Sequence, residues 1–78
     1  MSKITVNAVL TVLRLVITLL TKAVRLIYTI IDLVDDGCIN ASAPRPDWIV
    51  VLSTALDNIQ SVLGHLGGVE DEVYHESV

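Results

Sequence analysis

The sequence predicts an all-α protein: an antiparallel hairpin of one long, very apolar helix and one shorter amphipathic helix. Three observations carry that prediction. Between about residues 3 and 36 the polar side chains Asn7, Thr11, Arg14, Thr18, Lys22, Arg25, Thr29, Asp32 and Asp36 recur at steps of three and four. On a helix of 3.6 residues per turn they fall, with Thr21, within one arc of about 100°. Between about residues 47 and 66 a second set, Trp48, Leu52, Ala55, Ile59, Val62 and Leu66, recurs at alternating fours and threes, which is the mark of one packing seam. Pro44 and Pro46 separate the two stretches, and each turns the residue before it away from helix.

The first helix is unusual in its proportions. Outside the polar stripe its circumference is almost entirely Val, Leu, Ile and Ala, with Thr5 the main exception. A helix on the surface of a soluble domain has a limited apolar face and a broad polar one. This one must therefore be covered nearly all round, by lipid, by copies of itself or by both. Leu13, Ile17 and Leu20 are its central packing candidates, and Asn7, Arg14, Lys22, Arg25 and Asp32 define the stripe as a candidate self-association or pore-lining surface. Its many β-branched residues favour strands in water, but strict alternation is absent while the helical period persists, so helix is expected. Ser2 is placed to cap the N-terminus, and Gly37 follows the last periodic residues as the expected stop.

Residues 37–46 then form an irregular, proline-stiffened linker. The second helix is expected over about 47–66, with Asp47 or Ser42 as cap and with Trp48, Leu52 and Ile59 as packing residues. Ile49, Val51, Leu56 and Leu63 widen its apolar face. Gly64 and the Gly67–Gly68 pair are expected to end it, leaving 67–78 as an acidic tail that frays. At 1.5 Å per residue the helices would be about 50 and about 30 Å long. The shorter would then leave Ile4 to about Ile17 uncovered. Closing the hairpin brings Asp57 towards Lys22 or Arg25, and Glu70 towards Arg14. The alternative, favoured by the apolar seam of the second helix, turns the cations towards other copies.

A chain of 78 residues, 53% hydrophobic and without phenylalanine, is one small domain with more apolar surface than two helices can hide. Charge is polarised. Up to Ile31 there are four basic residues and no acidic ones; from Asp32 onward there are nine acidic residues and one basic, Arg45. Three of the four early cations sit singly in apolar surroundings, which excludes the basic face of a nucleic-acid binder. Cys38 is alone, His65 and His75 lack metal-ligand spacing, and the glycines end a helix instead of opening one. No catalytic, cofactor or metal site and no small-molecule substrate is expected. Glu70 to Tyr74 reads as a solvated tail, and Asn40-Ala41-Ser42 as a chance glycosylation triplet. A cleaved signal peptide is not expected either, because the apolar stretch is too long, Arg and Lys interrupt it, and Pro44 would follow the cut.

Ala8 to Ile31 has the length of a membrane span. Arg14, Lys22 and Arg25 would each cost about 2.5–3.5 kcal/mol near the bilayer centre, which about offsets the gain from the Val, Leu and Ile residues. A lone inserted helix is therefore near break-even, and a helix whose stripe is covered by other copies is not. The expectation is a non-catalytic small hairpin that self-associates through its long helix at or in a membrane, as a pore-forming or regulatory protein. The alternative is a structural subunit, a coat or filament protein of a virion or other particle, whose hairpins pack side by side without lipid.

Overall fold

Ser2 opens the structure as the sequence expects. In the computed structural model, which describes residues 2–77, its extended backbone precedes helix α1 (Lys3–Ala41), and its hydroxyl accepts the Thr5 N–H at 3.2 Å. One otherwise unpaired helix-end donor is thereby satisfied. Helix α2 (Trp48–Ser77) runs back along α1. The pair forms a rod of 59 × 15 × 14 Å, all-α and hairpin-like, with no strand among the described residues.

Both helices are longer than the glycines suggest. α1 continues through Gly37 to Ala41, and the left-handed residue that ends it is Ser42, at φ 52°. The Ser42 N–H donates to Ile39 O at 3.2 Å and the Ala43 N–H to Cys38 O at 2.9 Å, which closes the last turn. The extra turn holds Cys38 half-buried within the helix, where a stop at Gly37 would have left it in the linker. The linker folds back on this end: Arg45 Nε lies 2.8 Å from Asp35 Oδ1 as an ion pair without hydrogen-bond alignment, and Cys38 Sγ lies 3.6 Å from Pro44 O.

α2 passes through Gly64, Gly67 and Gly68 without a break, and all three keep negative φ. Each glycine costs about 1 kcal/mol against alanine in a helix. Burying Leu66 and Val73 against α1 offsets part of that cost, at less than the ~1.5–3 kcal/mol of a fully buried side chain for each half-buried one. The consequence corrects the expected mismatch in length. At about 45 Å, α2 reaches the far end of α1, and Val6 and Leu10, which a short second helix would have left bare, are buried.

The seam between the helices is continuous. On α1 positions 6, 10, 13, 17, 20, 24, 27, 31, 34 and 38 are all buried or half-buried, and on α2 so are 49, 52, 56, 59, 63, 66, 70 and 73. Strict alternation of three and four is the spacing of a two-stranded coiled coil. Leu13, Ile17, Leu20, Leu52 and Ile59 lie on it. Trp48 and Val62 do not: the working row of α2 is Ile49, Leu56 and Leu63, one residue later, and Trp48 stays 51% exposed.

Candidate self-association surface

Consecutive residues on a helix point about 100° apart. That fact divides the remaining surface of the hairpin into two unlike sides. One residue after each seam position on α1 come Asn7, Thr11, Arg14, Thr18, Thr21, Arg25, Tyr28, Asp32, Asp35 and Ile39, and this flank carries most of the polar stripe. One residue before each seam position come Val9, Val12, Val16, Leu19, Ala23, Leu26, Ile30 and Leu33, again at alternating threes and fours. α1 thus carries two apolar seams side by side. α2 fills the first, and the second is open: Val12 is 60%, Leu19 56%, Leu26 65% and Leu33 67% exposed.

Antiparallel helices bring like flanks together, so α2 extends each side of the hairpin. Tyr28 and Gln60 meet on the polar side, where Gln60 Nε2 donates to Tyr28 Oη at 3.3 Å. Arg14 Nε donates to Glu70 Oε1 at 3.0 Å on the same side, the contact expected from closing the hairpin. On the apolar side α2 contributes the row Trp48, Ala55, Val62 and Val69 next to the seam, and Val51, Asn58, His65 and Glu72 further out. The rod is amphipathic along α1, and α2 adds a mixed margin to its apolar side.

The polar side demands less water than its composition suggests. The hydroxyls of Thr11, Thr18, Thr21 and Thr29 donate to the carbonyls of Asn7, Arg14, Ile17 and Arg25 at 2.8–3.0 Å. Such back-bonding satisfies the side chain inside its own helix. The outstanding groups are the Asn7 amide and the charges. Asn7, Lys22, Arg25 and Asp32 are exposed, and among the described residues the ion pairs are Arg14–Glu70 and Arg45–Asp35. Asp57 pairs with neither Lys22 nor Arg25; it lies exposed on the solvent side of α2.

On the apolar side a shallow groove of about 460 Å³ opens between Ala8, Val9, Val12, Leu13, Val16 and Leu66. No polar side chain lines it. It therefore offers shape and dispersion but no chemistry. No group of His, Cys, Asp or Glu among the described residues is arranged to hold a metal, and His65 Nδ1 is engaged with Ser61 O at 2.7 Å. By length and composition alone, both helices are long and apolar enough to cross a membrane. Compared with protein-family models, with curated proteins and with solved structures, the chain matches none.

The sequence pointed to the stripe as the special surface of the long helix. The second seam was hidden in the same residues, because an almost continuous run of Val, Leu and Ile does not announce which row a partner helix takes. Both rows repeat at three and four, so spacing does not separate them; the facing helix does, by burying Val6 and Leu10 and leaving Val12, Leu19, Leu26 and Leu33 exposed.

Proposed function

We propose that the chain is a non-catalytic assembly subunit: a helical hairpin that self-associates through the apolar side of α1 and keeps its polar stripe in water. The observation that supports this is the second seam. From Val9 to Leu33 that row is apolar, largely exposed and on one side of the rod, a face of the length and shape that an opposing helix packs against. The helices match a bundle in other respects. Apart from Glu70, α2 is apolar on its two seam rows and on the adjacent row Trp48, Ala55, Val62 and Val69, the proportion of a core-facing bundle helix, and α1 is apolar on its seam and from Val9 to Leu33 on its second seam.

A second reading, a membrane oligomer with the stripe turned inward, rests on the length and hydropathy of both helices. The register of the hairpin weighs against it. With Arg14 beside Glu70, the acidic run from Glu70 to Glu76 lies alongside the first third of α1. With Tyr28 beside Gln60, Asp57 lies close to the level of Ile31. A span centred on α1 would thus hold Lys22, Arg25 and Asp57 at depths where each costs up to about 2.5–3.5 kcal/mol. It would also bring the acidic run into the bilayer margin.

Fractionation of the expressed protein separates the readings. The assembly reading predicts a homogeneous particle in the soluble fraction without detergent. Recovery only in membranes that resist alkaline and high-salt extraction would replace it with the membrane reading.

A further inference from the structure

Exposure along the second seam alternates from residue to residue. Val12, Leu19, Leu26 and Leu33 stand out at 56–67%, while Val9 and Val16, beside the groove at Leu66, are 38% exposed and Ile30 is 43%. Two copies laid antiparallel, with a twofold axis near residue 21, bring Leu26 opposite Val16, Leu33 opposite Val9 and Val12 opposite Ile30. Each projecting residue then meets a recessed one, whereas a parallel twofold pair sets like residues against like.

We propose, on the footing of the self-association reading, that the partner for this face is a second copy of the chain. The α1 helices pair antiparallel along the second seam, giving a dimer of hairpins arranged as a four-helix bundle. The angle supports it: the two seams of α1 are one residue apart, so they face neighbours about 100° apart, close to the right angle between adjacent contacts in a square bundle. The area supports it as well. A face about 36 Å long and as wide as the rod offers on the order of 500–900 Å² per copy, against the ~800 Å² per partner of a standard stable interface. A closed twofold contact uses the same patch on both copies, so the apolar side is consumed and growth stops at two. The polar stripe, with Arg14 and Arg25, stays outside.

Cysteine cross-linking tests the orientation directly. In a Cys38→Ser background, proteins carrying Val16→Cys and Leu26→Cys are mixed and oxidised in detergent-free buffer. The antiparallel pairing predicts that the mixed disulfide exceeds either homodimer severalfold, and that a Thr18→Cys protein, altered on the polar side, cross-links far less. Dominant homodimers would mean parallel pairing and overturn the proposal; so would cross-linking of Thr18→Cys, in buffer or in phosphatidylcholine vesicles, as strong as that of the seam cysteines. Sedimentation of Leu26→Glu supplies the second arm. The residue is mostly exposed, so circular dichroism should keep its helix signal while the mass falls by half. If the unaltered chain is itself a monomer in buffer, the self-association reading fails with this one. If it associates but the seam cysteines stay apart, only the seam assignment fails.

Discussion

Ser42 shows how a single residue carries the turn. Its left-handed backbone at φ 52° is a conformation that costs an L-residue about 1–2 kcal/mol and glycine almost nothing. The serine persists there because its N–H and that of Ala43 close the end of α1. Ser42→Gly should therefore stabilise the hairpin by up to about 1 kcal/mol after the added freedom of the unfolded chain is counted; thermal unfolding followed by circular dichroism reads it. Glu70 is the opposite case, a half-buried carboxylate on an apolar seam, paired with Arg14 at a largely exposed site. Such a pair adds little stability. Its chemistry suits it to fixing register, as single polar groups in coiled-coil seams do. Glu70→Leu should raise the unfolding midpoint, by an amount on the order of 1 kcal/mol in stability; a fall would show that the ion pair holds the far end together.

At the scale of the helices, period was legible in the sequence and phase was not. The hairpin, its break near the prolines, the Ser2 cap and the polar stripe all follow from residue spacing, and the structure has each of them. The sequence favours Trp48, Ala55 and Val62 for the seam of α2 and the structure uses Ile49, Leu56 and Leu63, because both rows are apolar and only the facing helix selects between them. Adjacent residues test that selection. Ile49→Ala should cost about 2–4 kcal/mol, while Val50→Ala, at an exposed position, should stay within about 0.5 kcal/mol. The ends of both helices were misjudged for a related reason. Glycine is a stop only where nothing beyond it needs the helix, and beyond Gly68 lie Glu70 and Val73 of the seam. Beyond the helix's own adjacent backbone, nothing stands within 4 Å of a Cβ added at Gly64 or Gly68, so Gly64→Ala and Gly68→Ala should each stabilise by about 0.5–1 kcal/mol. A loss instead would place a close-packed neighbour at those glycines.

For the whole molecule the decisive quantity is the surface that two helices cannot cover. Only Val6, Leu10, Ile49 and Leu56 are buried hydrophobic residues among those described, while Leu19, Leu26 and Leu33 stand more than half exposed on one side. A core that small leaves little stability for an isolated hairpin. Association adds the second seam, so the melting temperature should rise with protein concentration. The most direct test is the mass of the unaltered chain in plain buffer, by sedimentation equilibrium or native mass spectrometry, across a wide range of concentrations. The assembly account predicts a discrete multiple of 8.5 kDa that Leu26→Glu dissociates without loss of helix. A monodisperse 8.5 kDa species at every concentration would contradict it.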